Sequence, residues 1–185
     1  MKIMVFENKF VQYSKDKQES LLMILGGVLG ITLAAQITIL LQPVPITLQT
    51  FAILLVGMLY GPKRGMQTVL IYVCAGVVGL PVFAHCSGGI HILLGPTGGY
   101  ILGFVPAAAF TGYLLQRGWI KHPISIFSAA LFGVILLFIP GYLVLANFIG
   151  YQQAYYTGVA PFYLVELCKL ITLTWIAQFF WRRKI

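Results

Sequence analysis

The sequence predicts an all-α integral membrane protein with six transmembrane helices and both termini in the cytoplasm. Hydrophobic residues make up 59% of the 185 residues, charged residues only 9%, and the mean hydropathy is +0.92. In a soluble domain about 25% of residues are charged. The apolar residues also fall into six runs separated by short polar or proline-containing segments, which is typical of a polytopic membrane protein.

The first three runs occupy the N-terminal half of the chain. Residues 21–41 carry no charge and are enough to cross the ~30 Å of hydrocarbon in a bilayer. Residues 46–60 are short for a span and end at a basic turn, residues 61–65. Residues 66–80 form the third predicted span, which stops at Pro81.

The last three runs occupy the C-terminal half of the chain. Residues 97–116 end at the basic turn 117–122. Residues 124–148 contain Pro140-Gly141, which predicts a kink or an interruption because proline removes a helical hydrogen bond. Residues 162–181 are the sixth predicted span, and a basic C-terminus follows.

The positions of the basic residues predict the orientation. Every Lys and Arg except Lys169 lies in the N-terminal tail, in the turns 61–65 and 117–122, or at the C-terminus. The loops 42–48, 81–96 and 149–160 contain none. Since Lys and Arg accumulate in cytoplasmic loops, both termini are predicted to be cytoplasmic in a multi-pass protein of the cell membrane.

The same clustering explains the net charge of +8 without nucleic-acid binding. Residues 1–20 are too long and too acidic for the n-region of a signal peptide, so they are predicted to be a cytoplasmic tail. Residues 21–185 are then a single six-helix membrane domain.

Two ionisable residues, Glu166 and Lys169, lie inside the last apolar run. Their i, i+3 spacing places them on one helix face, and ionisable groups at membrane depth persist mainly where they pair, line a cavity or act. One interpretation is an ion pair that neutralises itself. The other is a cavity open to the outside, in which Lys169 meets a ligand carboxylate and Glu166 accepts hydrogen bonds from N–H donors.

The uncharged loop that follows Pro81 is rich in glycine, but no Lys follows the glycines as in a phosphate-binding loop. The loop is predicted to fold back as a lid over a pocket, with Phe83 and Tyr100 as apolar walls. His85, Cys86 and His91 are spaced too irregularly to predict a metal site.

The sequence contains no recognisable catalytic set, so it predicts neither an enzyme nor a cofactor. An intramembrane enzyme using Glu166, Lys169 and His85 or His91 is the alternative from a different class. A channel is disfavoured, since uncharged outer loops and one ion pair do not form a polar pore lining.

Small residues recur every four positions in two of the predicted spans. Gly26, Gly30 and Ala34 form such a stripe in the first, and Gly99 and Gly103 form one in the fourth. Small residues let membrane helices approach closely. Each stripe is interpreted either as internal packing or, for the first stripe, as a docking surface for another membrane subunit.

Three stretches together resemble the biotin-specific substrate-binding components (S components, the BioY family) of energy-coupling-factor (ECF) vitamin transporters. They are Pro-Val-Pro-Ile-Thr-Leu-Gln-Thr-Phe-Ala (43–52) with Gly-Pro-Lys-Arg-Gly (61–65), Gly-Leu-Pro-Val-Phe-Ala (79–84) with Ser-Gly-Gly (87–89) and Leu-Gly-Pro-Thr-Gly-Gly-Tyr (94–100), and Pro-Phe (161–162) with Glu166-x-x-Lys169. The resemblance extends over nearly all of the chain after residue 20.

The resemblance implies an S-component fold that captures biotin with high affinity for uptake across the cytoplasmic membrane. Its pocket faces outward under the loop between helices three and four. The family's Asp-x-x-Lys corresponds to Glu166 and Lys169, and its polar loop residue to His85. The expected ligand-binding residues are Glu166, Lys169, His85, Gly98, Tyr100, Phe83 and Thr97.

The resemblance also implies partners. The family's first-helix motif for docking a transmembrane coupling subunit is similar to Gly26, Gly30 and Ala34. Because the chain has no Walker A sequence, an ATP-driven cycle requires two separate ATPase subunits as well. Action alone or as a homo-oligomer stays open, as does another water-soluble vitamin as the substrate.

This chain departs from the family at three places, the first of which is the first-helix motif, where Gly26 and Gly30 differ from the family's usual alanines. Leu164-Val165 stands where the family has Pro-Gly, and Glu166 stands where the family commonly has Asp. The expected chemistry nevertheless fits biotin, which has an apolar thioether ring, a ureido group with two N–H donors and one C=O acceptor, and a flexible carboxylate. A pocket with aromatic walls, one cation and one anion matches that set of groups.

Overall fold

The computed structural model describes residues 17–182. Most of the predicted tail, residues 1–20, and the last basic residues therefore lie outside the described part. Within it the chain is predominantly helical. The helices are α1 (Lys17–Gln36), α2 (Gln49–Val77), α3 (Ile90–Leu93), α4 (Gly98–Gln116), α5 (Pro123–Ile149), α6 (Tyr151–Gly158) and α7 (Phe162–Arg182).

A small hairpin separates α1 from α2. Strands β1 (Thr38–Ile39) and β2 (Ile46–Thr47) pair antiparallel, with Thr38 opposite Thr47 and Ile39 opposite Ile46. Helix α1 thus ends at Gln36, whereas the sequence predicted a span that continues to residue 41. Pro43 and Pro45 follow β1, where neither can continue a helix.

The second and third predicted spans are the two parts of α2. They meet at Gly61, whose φ of 76° and ψ of 178° are not helical. Glycine adopts this conformation without a Cβ penalty, and Pro62 then begins the next helical part because its missing N–H is not needed there. The basic turn predicted over residues 61–65 is therefore a single non-helical residue followed by helix.

Two loop predictions for the outer segments need correction, and the Pro140-Gly141 pair does not interrupt its helix. α5 is helical through Pro140-Gly141, so the chain is not interrupted there. Residues 149–160, predicted to be a loop, contain α6, and the long loop 81–96 contains α3 and a 3₁₀ turn, Ala84–Cys86. Hydropathy did not reveal α6 because its sequence, Tyr-Gln-Gln-Ala-Tyr-Tyr-Thr-Gly, has no apolar run.

Three helices of the described residues are long and apolar enough to cross a membrane. They are Gly98–Gln116, Pro123–Ile149 and Phe162–Phe180, and Ser20–Gln36 is a shorter apolar helix. Membrane insertion of a mostly helical chain is thus supported by length and composition for three of the six predicted spans.

Glycines let α4 pack closely between α2 and α5. A Cβ at Gly57 would lie 2.9 Å from the Cα of Ala108, and a Cβ at Gly103 would lie 2.6 Å from the Cα of Leu137. Gly99 similarly abuts the backbone carbonyl of Pro140. The internal-packing interpretation of the stripe in α4 is therefore confirmed.

The stripe in α1 behaves differently. Among the described residues, only the neighbouring backbone of α1 lies within 4 Å of a Cβ built at Gly26 or Gly30. A Cβ built at Gly27, in contrast, would lie 2.7 Å from the Thr68 side chain and 2.8 Å from the Tyr60 ring. Ala34 is buried. Internal packing therefore involves Gly27 and Ala34, while Gly26 and Gly30 lie on a face that the described residues leave open.

Candidate ligand-binding site

Glu166 and Lys169 form a buried ion pair on α7. The helix begins at Phe162, directly after Pro161, so both residues lie in its first turns. Glu166 is 5% exposed and Lys169 is 9% exposed. The Lys169 Nζ atom lies 2.6 Å from Glu166 Oε1, and the i, i+3 spacing produces this contact within a single helix.

The ammonium group of Lys169 is fully occupied by the protein. It donates to the carbonyl oxygen of Thr47 at 2.6 Å, to Thr50 Oγ1 at 2.9 Å and to Glu166 Oε1 at 2.6 Å. An ammonium group has three N–H donors and no acceptor. Lys169 therefore ties α7 to β2 and to the start of α2, and it keeps no donor for a ligand in this arrangement.

Thr50 connects the two charges. Its hydroxyl accepts from Lys169 and donates to Glu166, with distances of 3.0 Å to Oε1 and 3.3 Å to Oε2. A carboxylate offers about four acceptor positions, and Lys169 and Thr50 use only part of this capacity. Glu166 is thus held in place by two donors and can still accept further hydrogen bonds.

A cavity of about 160 Å³ lies beside this network. Its walls come from the β2 region, the start of α2, the loop before α3, the first turns of α4 and the start of α7. The lining residues are Val44, Pro45, Thr47, Gln49, Thr50, Phe83, Ala84, His85, Ser87, Ile92, Thr97, Tyr100, Ile101, Phe104, Phe162 and Glu166. Glu166 is the one Asp, Glu, Lys or Arg among these lining residues.

The structure brings five of the seven predicted ligand-binding residues to this cavity. Phe83, His85, Thr97, Tyr100 and Glu166 line it. The other two lie close by in supporting positions. Lys169 contacts Glu166 but does not line the cavity. Gly98 lies against the backbone of Leu93, where a side chain would have no room, and this glycine allows the tight turn from α3 into α4.

Aromatic side chains close two sides of the cavity. Phe83 is 2% exposed, lies over Gly76 and meets Tyr72 edge to face at 5.6 Å between ring centroids. The Tyr100 ring packs edge-on against Phe138, with 5.6 Å between centroids. Edge-to-face pairs of this kind prefer centroid separations of about 4.5–7 Å, so both walls are fixed by their neighbours.

The loop over the cavity is tied to the end of α1. The side-chain amide of Gln36 donates to the carbonyl oxygen of Phe83 at 3.1 Å, and its Oε1 accepts from the backbone N–H of Cys86 at 2.9 Å. Between these contacts His85 has a φ of 58°, in the left-handed region. His85 is exposed at the edge of the cavity, so the lid presents a polar side chain toward solvent.

Sequence reasoning missed Thr47, Gln49 and Thr50 as site residues. All three belong to the string that carried the resemblance, and they are polar residues at the start of an otherwise apolar run. These polar residues within an apolar run were the signal that could have identified the three as site residues. Within residues 17–182, no three His, Cys, Asp or Glu side chains lie close enough together to hold a metal ion.

Comparison with known proteins identifies the family. The model of the BioY family matches residues 8–184. The chain belongs to the BioY family. It is 39% identical to the probable biotin transporter BioY of Pyrococcus horikoshii over 89% of this chain and 96% of that protein. It is 37% identical to the biotin transporter BioY of Thermotoga maritima over 80% of this chain and 86% of that protein.

A solved structure extends the family likeness to the fold. The 2.1 Å crystal structure of the S-component for biotin from an ECF-type ABC transporter matches this BioY chain with a TM-score of 0.80. The two are 26% identical, and the match covers 90% of this chain and 92% of that one. The expectation of an S-component-like fold is therefore confirmed.

Proposed function

We propose that this BioY protein captures biotin with high affinity at the outer face of the cytoplasmic membrane, as the substrate-binding subunit of an ECF-type transporter. The observation that carries the proposal is Glu166, a buried carboxylate with acceptor capacity left, in the wall of an otherwise uncharged cavity. The biotin transporters among its relatives support this choice of substrate. They are transporters, and nothing at the site favours the enzyme alternative.

We propose one orientation of biotin in the cavity. Glu166 accepts a ureido N–H, because an ionised carboxylate makes strong hydrogen bonds to such donors. Phe83, Tyr100 and Phe104 lie against the apolar ring system. His85, at the exposed edge, is suited to the flexible carboxylate end, which stays close to solvent. Lys169 positions Glu166 rather than contacting the ligand, since its three donors are already used.

The membrane arrangement that we propose has six spans, with both termini in the cytoplasm. The spans are residues 21–36 of α1, residues 49–60 and 62–77 of α2, α4, α5 and α7. The basic residues of the turns 61–65 and 117–122 support this topology. One turn joins the second and third spans, the other joins the fourth and fifth, and Lys and Arg accumulate in cytoplasmic loops. Residues 1–20 are then a cytoplasmic tail, and the cavity opens outward beneath the uncharged loop 81–96.

The proposed partners are a transmembrane coupling subunit and two ATPase subunits. Their docking surface is the α1 face that carries Gly26 and Gly30, where, among the described residues, only the neighbouring backbone of α1 lies within 4 Å of either glycine's Cβ position. Ala34 continues the predicted stripe, but it is buried and supports the helix from inside. Small residues suit close helix approach in lipid. Action alone or as a homo-oligomer is the alternative.

Equilibrium binding of labelled biotin to the purified, detergent-solubilised protein tests this function, with excess unlabelled biotin as the competitor. We expect saturable binding of about one biotin per chain, with a Kd on the order of nanomolar. Well-folded protein that fails to bind biotin would contradict the proposal. Protein that exchanges biotin for another water-soluble vitamin at equal concentration would also contradict it and would identify a different substrate.

A further inference from the structure

Gln49 is a buried polar residue in the cavity wall, separate from the Glu166–Lys169 ion pair. It is 6% exposed, lines the cavity and is the first residue of α2. Its side chain lies in the same polar network as Glu166. The backbone N–H of Gln49 donates to Thr47 Oγ1 at 3.2 Å, and the Thr47 carbonyl accepts from Lys169.

Neighbouring hydrogen bonds fix which way the Gln49 amide points. The Tyr72 hydroxyl lies 3.0 Å from the carbonyl oxygen of Val82, which can only accept, so Tyr72 donates its proton there. The same hydroxyl must then accept from Gln49, whose Nε2 lies 2.7 Å away. The NH₂ group therefore faces Tyr72, and Oε1 lies 3.5 Å from Thr47 Oγ1.

This orientation leaves part of the amide without a partner. An amide NH₂ has two N–H donors, and Tyr72 takes one of them. Among residues 17–182 no acceptor is within hydrogen-bond distance of the other donor, and the Oε1 contact is at the outer limit for a hydrogen bond. Buried polar groups in native proteins are nearly always satisfied, so the spare N–H of a cavity-lining residue points to a ligand.

We infer that Gln49 determines specificity by donating this spare N–H to the carbonyl oxygen of a cyclic urea. Glu166 supplies the complementary acceptor for the adjacent ligand N–H. A cyclic urea places its C=O between two N–H groups, so a donor and an acceptor held in one network match it. The inference rests on the proposed function and deepens it, since it assigns the recognition of the ureido oxygen to a residue at the start of α2.

A purely structural Gln49 would behave differently from a specificity residue. If it only held Tyr72 and the lid in place, its replacement would weaken all ligands by a similar factor. If it reads the ureido oxygen, the replacement changes the ratio between ligands that differ at that one atom. In 2-iminobiotin the oxygen is replaced by an imino nitrogen, and at neutral pH the resulting guanidinium group offers only donors.

The test compares the Kd of biotin with the Kd of 2-iminobiotin at neutral pH for wild-type protein, Gln49→Glu and Gln49→Met. The matched control is Gln153→Glu, which makes the same charge change at an exposed glutamine of α6. Wild-type protein should bind biotin at least about tenfold more tightly than 2-iminobiotin, because a site built to donate to the oxygen rejects an analogue that cannot accept.

Gln49→Glu should reduce this preference by at least about tenfold and should bind 2-iminobiotin more tightly than wild type does, since a carboxylate accepts from the guanidinium. Gln49→Met should lose biotin affinity by about tenfold without gaining 2-iminobiotin. The Gln153→Glu ratio should equal that of wild type.

Two results would overturn the inference and leave the proposed function intact. One is wild-type protein that binds the two ligands equally, a measurement that needs no variant to fold. The other is an unchanged ligand ratio in folded Gln49→Glu or Gln49→Met. Wild-type protein that binds no biotin would instead overturn the proposed function, and the inference would fall with it.

Discussion

At the scale of residues, the site depends on a buried ion pair whose main role is arrangement rather than stability. Removing two charges from water costs about as much as their attraction returns, so a buried pair gives little net stabilisation. What the pair provides here is a carboxylate held at the cavity wall by Lys169 and Thr50. The i, i+3 spacing allowed the pair to be predicted, but the contacts of Lys169 to Thr50 and Thr47 join residues 119 and 122 positions apart.

The first prediction concerns this arrangement. Lys169→Met should destabilise the protein by about 3–5 kcal/mol, because Glu166 is left as an uncompensated buried charge, and it should cost at least about 2 kcal/mol of biotin binding. The double variant Glu166→Gln/Lys169→Met should recover most of the stability but not the binding. Thermal unfolding and biotin titration in the same detergent measure both effects. Wild-type affinity in the single variant Lys169→Met would show that Lys169 is not needed to position Glu166 for the ligand.

At the scale of elements, the Gln36 side chain at the end of α1 holds the lid by hydrogen bonds to Phe83 and Cys86. The sequence predicted a glycine-rich loop as a lid, and residues 83–85 and 87 of this loop do line the cavity; the glycines and the absence of charge on which the prediction rested are local features. It did not predict the Gln36 contacts, because Gln36 and Phe83 are 47 residues apart and nothing local in either segment marks the pairing. The same contacts link the lid to the helix that carries Gly26 and Gly30.

The second prediction follows from that link. Gln36→Ala removes the hydrogen bonds to Phe83 and Cys86, so amide hydrogen exchange over residues 83–87 should accelerate and bound biotin should dissociate several-fold faster. Gln153→Ala, at an exposed glutamine of α6, is the control and should leave both rates unchanged. Equal exchange and dissociation rates in Gln36→Ala and wild type would show that the lid is held by other contacts.

The third prediction separates two glycines of similar sequence context. Gly30→Leu adds a side chain where, among the described residues, only the neighbouring backbone of α1 lies within 4 Å of the Cβ position, so the fold and biotin binding should be retained, whereas docking to a coupling subunit should be lost. Gly103→Leu should fail to fold, since its Cβ alone would lie 2.6 Å from the Cα of Leu137. Co-purification with the coupling subunit and thermal unfolding distinguish the two. Undiminished co-purification of Gly30→Leu would place the docking surface elsewhere.

At the scale of the whole molecule, hydropathy and charge positions predicted most of the helical segments that the structure contains. The long apolar runs correspond to α4, α5 and α7, and the start predicted for the sixth span, residue 162, is the start of α7. The misjudged segments are those in which tertiary packing decides the conformation. Gly61 is the only break between the two parts of α2, and α6 forms from a polar sequence that packs onto α5 through residues such as Ala154 and Gly158, both buried.

The fourth prediction tests the six-span topology. In a background with Cys74→Ser and Cys168→Ser, a membrane-impermeant maleimide should label Cys86 in intact cells, because Cys86 is exposed in the outer loop. When Cys86→Ser and Lys63→Cys are added to that background, the maleimide should label the protein only in permeabilised cells. The reason is that the turn after residue 60 is proposed to be cytoplasmic. Labelling of both positions from the same side would contradict the proposed topology.

The measurement that bears most directly on the account is the biotin affinity of Glu166→Gln beside that of the wild-type protein, determined by calorimetric titration of folded samples. The variant keeps the size of the side chain but removes the charge that accepts the ureido N–H. Since hydrogen bonds to a charged group contribute about 1.5–3 kcal/mol, its affinity should fall by at least about tenfold. An affinity equal to that of a biotin-binding wild-type protein would show that Glu166 does not receive the ligand.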